Sequence, residues 1–407
     1  MLKFFYQQNY KNILLFSVFI LLPFFDAING YLIIKGIISA AGVSSPSQLG
    51  RLMVSFLLAY LIIAKKLAVW PIFLFVYLFS VEVFSGLFHL NQYGFTYGVI
   101  SAYKLGYLIL LTMILIHYSK TTEGMLQLGK LVKYNLIIIA TMLCFSTVTG
   151  IGNNTYAMGF GTISFFASGN GLGLYLGVGV LFLIGLRECK LVSISYKMLL
   201  FLAFSIILIG TKTALVLCIT NIIVMILISK YRISIIILFA LLLTFYLPKI
   251  IEQFSMMFII ILKRFDVAEN IVMFLGSGRI QYVVDAFEVF LKNDPSAFRF
   301  LFGMGAFTSF QNSLTVTEFD TLETDLFDLF FMYGLLSVLF FLSTIGFVLF
   351  QLRKYKILFL GMLLLSLHSI IAGHVLFNGM SSVGFALFIC VSNYLSIQRS
   401  VDDKAIA

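Results

Sequence analysis

Apolar residues dominate this chain in long, nearly unbroken runs, not in the alternation of a half-buried strand or the single stripe of a surface helix. A helix of about 20 apolar residues crosses the hydrocarbon of a bilayer. Runs that meet or approach that length fall at 11–33, 51–64, 67–88, 99–117, 134–149, 164–186, 198–209, 214–229, 233–248, 326–352, 357–372 and 381–396. The pattern predicts an all-α polytopic membrane protein with about 12 transmembrane helices. Runs 51–64 and 198–209 are short enough for tilted or re-entrant segments. Lys3 and Lys11 precede an apolar stretch as in a secretory leader, but no small-residue cleavage site follows, and the stretch is read as the first span.

One interval breaks the rhythm. Residues 249–325 form a long connection between helices 1–9 (1–248) and helices 10–12 with a C-terminal tail (326–407). A connection of this length inside a compact protein is usually functional. Residues 280–291 alternate apolar and polar positions at helical spacing behind Gly276-Ser277-Gly278, with Ser277 as the N-cap candidate. Residues 256–262 are apolar but too short to span, which predicts an interfacial helix.

Basic residues divide the short connections into two groups. One group holds Lys65, Lys66, Lys120, Lys130, Lys133, Arg187, Lys190, Lys197, Lys230, Arg232, Arg353, Lys354 and Lys356, together with Lys3, Lys11, Arg399 and Lys404 near the termini. The opposite connections, 39–50, 91–98, 150–161 and 373–379, contain no Lys or Arg. The positive-inside rule makes the first group and both termini cytoplasmic and places the 249–325 loop outside, which in a bacterium is the periplasm beyond the inner membrane.

Composition agrees with this. The chain is 61% apolar and 11% charged, against about 25% charged in soluble domains. Its net charge of +10 is accounted for by topology and does not call for a nucleic-acid partner; membrane lipids are its surroundings. Cys144, Cys189, Cys218 and Cys390 stand alone in apolar runs, with no metal clip or disulfide framework in their spacing.

Charges retained in apolar surroundings are the candidates for chemistry, because each costs about 2.5–3.5 kcal/mol at the bilayer centre. Lys212, in Gly210-Thr211-Lys212-Thr213, lies on the outward side where topology does not require it. With Thr211 it offers donors for a phosphate or pyrophosphate; a snorkelling lysine at a helix end is the alternative. Arg279 opens the predicted loop helix, where its fork can act with free backbone N–H groups on an oxyanion, or else pair with Asp285 or Glu288. Glu323 and Asp325 lead into a span at the outer interface, as general-base candidates or as a solvated rim. His374 can donate to phosphate or take a hydroxyl proton, or simply cap a helix. Gly169, Asn170, Gly171, Gly173 and Gly177 have the spacing that lets membrane helices approach closely, with Asn170 as interhelical glue. Asp26, Glu82 and Lys104 are further intramembrane charges.

Six pieces occur in order: Phe165-Phe166-Ala167-Ser168-Gly169-Asn170-Gly171-Leu172-Gly173, Gly210-Thr211-Lys212-Thr213-Ala214, Gly276-Ser277-Gly278-Arg279, Leu301-Phe302-Gly303-Met304-Gly305, Glu323-x-Asp325 running to Gly334, and Ala372-Gly373-His374. Their order and spacing, over about residues 160–380, resemble the bacterial O-antigen polymerase and O-antigen ligase superfamily. The resemblance implies a GT-C-like inner-membrane glycosyltransferase with one large periplasmic loop containing short helices. It would join undecaprenyl-pyrophosphate-linked oligosaccharide repeats, as donor and acceptor, by inverting transfer, with no cofactor and no metal.

In that reading Arg279, Lys212, Thr211, Asn170, Arg264 and Arg299 contact pyrophosphate or substrate, and Glu323, Asp325 and His374 are catalytic. The family often has arginine at the position of Lys212, so this chain keeps the positive charge and gives up the bidentate fork. The ligase branch tends to place a His-Asn pair where this chain has Glu323-Thr324-Asp325, and the acids are more like a polymerase. The resemblance also implies a polysaccharide chain-length regulator as partner. Ligase is the runner-up; a lipid-linked sugar flippase is weaker, because the halves show no internal repeat.

Overall fold

The computed structural model describes residues 13–38, 45–89, 92–156, 161–230, 232–233, 279–292, 296–303, 305–306, 322, 324–373 and 375–406. They are almost all helical: α1 (Ile13–Ile34), α2 (Pro46–Ala64), α3 (Trp70–His89), α4 (Gln92–Tyr118), α5 (Thr122–Thr149), α6 (Gly169–Glu188), α7 (Tyr196–Ile207), α8 (Lys212–Ile228), α9 (Arg279–Lys292), α10 (Ala297–Phe302), α11 (Asp325–Leu352), α12 (Lys356–Ala372) and α13 (Ser382–Ile406). Among the described residues, six helices are long and apolar enough to cross a membrane: α1, α2, the Gly98–Tyr118 part of α4, α5, α6 and α11. Shorter apolar helices are Trp70–Phe84 within α3, and α7, α8 and α12. The protein is an all-α membrane-type bundle. The predicted run 233–248 and the interfacial helix at 256–262 lie outside the described residues; the other predicted runs coincide with helices.

Helix α6 occupies the centre, with every residue from Gly171 to Leu186 buried. It packs against α5, α7, α8, α12 and α13. Its glycines permit this, as a Cβ on Gly177 would lie 2.6 Å from Leu217 of α8, on Gly179 2.9 Å from Leu136 of α5, and on Gly185 2.5 Å from Leu358 of α12. Asn221 Nδ2 donates to the Gly177 carbonyl (2.9 Å), so the polar link between α6 and α8 comes from Asn221. Helix α1 contains a π turn at Ser17–Leu21, within which the Phe19 carbonyl accepts from Asn135 Nδ2 (2.5 Å). Asn135 Oδ1 in turn accepts from the Tyr175 hydroxyl of α6 (2.7 Å).

Four helix starts differ from the sequence reading by five residues or more: α4 opens at Gln92 and α6 at Gly169, where the runs begin at 99 and 164, and α2 and α5 open earlier than read. Helix α2 begins at Pro46, capped by Ser45, whose hydroxyl accepts from the Gln48 N–H (3.4 Å), so the run read as 51–64 is a 19-residue helix with Arg51 inside it. Helix α5 begins at Thr122, where Thr121 accepts from the Gly124 N–H (3.1 Å), a full three turns before the apolar run. The connection after α5, read only as a short connection without Lys or Arg, holds a hairpin: β1 (Asn153–Asn154) pairs antiparallel with β2 (Thr162–Ser164).

Basic residues gather at one end of the bundle. There Lys133 donates to the Ser193 carbonyl (3.4 Å), Arg187 stacks on Tyr196 (3.7 Å) and Arg399 donates to the Gln351 carbonyl (3.4 Å). The β-hairpin and the N-termini of α6 and α8 lie at the other end, where the Thr155 hydroxyl donates to the Ile209 carbonyl (2.5 Å) and the Thr162 N–H donates to Leu208 O (2.7 Å).

Helix α11 is broken at Gly334 (φ 76°, ψ −179°), a conformation essentially reserved for glycine. The break lets α10 press against it backbone to backbone, Gly303 on Met332–Tyr333 and Gly334 on Leu301–Phe302. Freed polar groups find partners: Gly305 N–H donates to Met332 O (2.8 Å), and Ser337 Oγ donates to Leu329 O (3.0 Å) and Gly334 O (2.7 Å). Glu82 of α3 anchors the same loop, as both its oxygens lie within bonding distance of the Ala306 N–H (3.0 and 3.1 Å) beside Tyr333. Gly334→Ala is therefore expected to cost more than about 2 kcal/mol of stability. Gly346→Ala in the same helix, where a Cβ meets nothing within 4 Å, serves as the control, expected to change it by less than about 0.5 kcal/mol. Thermal unfolding in detergent followed by size-exclusion chromatography separates the two.

Candidate functional site

Three chain reversals meet at the hairpin end of the bundle. Asp325, the first residue of α11, is 1% exposed. Its Oδ2 accepts from Ser369 Oγ of α12 (2.6 Å) and from the backbone N–H groups of Val375 and Leu376 (3.1 Å each). Three residues on, Asp328 accepts from the Leu322 N–H (2.8 Å), which fastens the chain entering α11. The acids at this helix start thus bind its own surroundings, as expected at the positive end of a helix dipole.

The turn held by Asp325 continues to α6. The Asn378 side chain accepts from the Met380 and Ser381 N–H groups (2.9 and 3.2 Å), shaping the entry to α13, and it abuts Gly171, where a Cβ would come within 2.6 Å of its Nδ2. Asn170, half-buried, stands beside this contact at the start of α6, a helix with no acid in its first turn and no side-chain cap from Ser168. One turn along, Gly173 meets Thr211 and Ala214, with a Cβ 3.1 Å from Ala214. Thr211 is the N-cap of α8, its hydroxyl accepting from the Ala214 N–H (3.2 Å). Lys212 follows as the first residue of α8, half-buried, again with no acid in the turn. Two helix N-termini without acids of their own, with a lysine on one, make an environment that attracts an anion.

The loop arginines attach to the same helix. Helix α9 packs Phe287 and Phe290 against Phe327, Phe330 and Phe331 of α11, with ring centroids 4.9–6.1 Å apart. Arg279 opens α9 and is buried. The acids offered as its alternative partners are engaged otherwise: Asp285 accepts from Gln281 (2.8 Å), and Glu288 pairs with Lys292 (3.6 Å). Arg299 of α10 is buried with its guanidinium 4.4 Å over the Phe290 ring, and burial pushes its pKa below the ordinary value. Arg264, Glu323 and His374, with Gly276-Ser277-Gly278, lie outside the described residues.

The structure thus brings Asp325, Asn170, Thr211 and Lys212 to one end of the bundle through the 375–381 turn and the start of α6. Arg299 lies over Phe290, and the helix that Arg279 opens packs on the aromatic face of α11. Sequence reasoning missed a buried charge here: Arg51 of α2 pairs with Asp26 of α1 at 2.5 Å. The available signal was an arginine opening an apolar run beside a connection otherwise free of basic residues. No protein-family model matches the chain, and no curated protein is detectably similar to it.

Removing one anchor of the Asp325 cluster tests its weight. Ser369→Ala is expected to cost about 1.5–3 kcal/mol, the worth of a hydrogen bond to a charged group. Comparison of the thermal midpoints of wild type and variant in one detergent measures it; an unchanged midpoint would mean that the cluster is solvated.

Proposed function

We propose that this protein is a polysaccharide polymerase of the bacterial inner membrane, joining undecaprenyl-pyrophosphate-linked oligosaccharide repeats on the periplasmic face by inverting glycosyl transfer. The observation that carries this reading is the meeting of dispersed sequence pieces at one end of the bundle: 169–173, 210–214, Asp325 and the turn after Gly373. That end is the one the basic-residue pattern assigns to the outside.

The chemistry follows from the two kinds of group found there. Lys212, with the N-termini of α6 and α8, would hold the pyrophosphate, and Arg279 would join it from the loop. Neutralising charge as it develops on a leaving group is usually the largest contribution to such catalysis. The Oδ2 of Asp325 is committed to three donors, so this side chain orients the 375–376 turn more readily than it takes a proton. Glu323 and His374, adjacent in sequence to the two ends of that cluster, are the groups assigned to the acceptor hydroxyl.

The test is reconstitution of the purified protein with its undecaprenyl-pyrophosphate repeat, products resolved as a ladder. Wild type is expected to give the ladder, and Arg279→Ala or Lys212→Ala to lower the rate by about 100-fold. Transfer only to a lipid A core acceptor would replace this reading with a ligase; no transfer to either acceptor would abolish the enzyme reading.

A further inference from the structure

Among the described residues, Asp26 and Arg51 form a largely enclosed ion pair. Their side chains are 13% and 7% exposed. An ion pair taken out of water recovers its desolvation cost poorly, and apolar residues of similar volume would generally hold α1 to α2 as well. Stability alone therefore does not explain it. What sets the pair apart is where the guanidinium points.

Arg51 Nη2 donates to Asp26 Oδ2, and Nη1 donates to the hydroxyl and the carbonyl of Ser47 (3.3 Å to the carbonyl). Ser47 Oγ donates in turn to Asp26 Oδ1 (2.5 Å). These bonds fix the plane of the fork. The guanidinium lies against Gly379, where a Cβ would overlap Nε, Cζ and Nη2. Nε itself is buried without a hydrogen-bond partner. Gly379 closes the turn whose other end, at Val375 and Leu376, is held by Asp325, and whose middle, at Asn378, rests on Gly171.

We infer that Arg51, oriented by Asp26 and Ser47, is a positioning residue: it braces the 375–381 turn from the α2 side, opposite Asp325, and so sets the register of the candidate site. The turn then has three fixed points on three separate parts of the bundle, α11, α6 and α2. A planar guanidinium locked by two partners suits this role, because its face offers a flat, rigid surface to a backbone. A lysine has neither the plane nor the fork. The kinetic consequence rests on the transfer reaction proposed above, whereas the consequence for the turn does not.

The test uses the full chain in nanodiscs, with hydrogen exchange of peptides covering 375–381 and, where transfer is measurable, kcat and KM on the undecaprenyl-pyrophosphate repeat. Arg51→Gln is expected to speed exchange in that turn by about tenfold or more while peptides of α5–α7 stay within about twofold. It is expected to lower kcat about tenfold with KM little changed, and Arg51→Lys to restore only a small part. Gly379→Ala, which leaves both charges in place and displaces the guanidinium, is expected to reproduce both effects, and the double variant to exceed either single one by less than about twofold. Should Arg51→Gln fail to fold, Gly379→Ala and Asp26→Asn carry the same comparison. Unchanged exchange at 375–381, acceleration spread evenly over the chain, or a raised KM with kcat intact would each overturn the inference. Local acceleration in a protein whose wild type transfers no sugar would defeat the polymerase reading and leave Arg51 as the brace of the turn.

Discussion

The middle of this bundle is arranged around how closely α5, α7, α8, α12 and α13 can approach α6. Lipid tails are as apolar as leucine, so helices in a membrane gain little from hiding apolar surface and depend on contact density instead. The glycines of α6 supply that density in several directions at once, toward α5, α8, α12 and the 375–381 turn. Because α6 is buried along nearly its whole length, a change in its register would move all of these neighbours together. The start of α6 lies among the candidate site residues, so the packing of the helix and the geometry of the site are one constraint.

Polar side chains within the bundle then do what packing cannot, which is to select one arrangement among similar ones. Asn221, Asn135, Tyr175 and the Asp26–Arg51 pair each connect a particular residue on one helix to a particular residue on another. Glu82 does the same for the loop after α10, and Asp325 for the turn after α12. Both loops dip inward to meet a carboxylate through backbone N–H groups that would otherwise be costly to bury. Each acid thereby serves as an anchor for backbone N–H groups at Ala306 or at Val375 and Leu376.

Much of this was legible in the sequence, for physical reasons that also mark the limits. Apolar helices are readable because the bilayer imposes a length, and Lys133, Arg187 and Arg399, which the charge pattern of the loops puts in one group, lie at one end. The glycines of 169–177 were correctly read as packing positions, since small residues have a geometric consequence that spacing alone conveys. Asn170 was expected to supply the interhelical link, which Asn221 makes instead; spacing does not say which of two asparagines finds a carbonyl. Arg51 was lost at a boundary. An apolar window opened at the arginine, whereas the helix opens at Pro46, capped by a serine that hydropathy ignores. The start of α5 was missed likewise, because residues 122–133 are amphipathic and only a tertiary partner makes them part of the longer helix. Partnerships such as Asp325 with Val375 join residues fifty positions apart, and no local pattern encodes them.

The break at Gly334 has a consequence for depth. From residue 335 to Leu352, α11 rises about 27 Å at 1.5 Å per residue, close to the roughly 30 Å thickness of bilayer hydrocarbon. The nine residues from Asp325 to Tyr333, about 13 Å of helix on the other side of the break, are then more than a crossing needs. The carboxylate at the tip of this segment meets hydrogen-bond donors, not hydrocarbon, and its phenylalanines pack on those of α9. On the polymerase reading, a ligand anchored by a hydrocarbon tail would reach this foot by sideways diffusion in the leaflet.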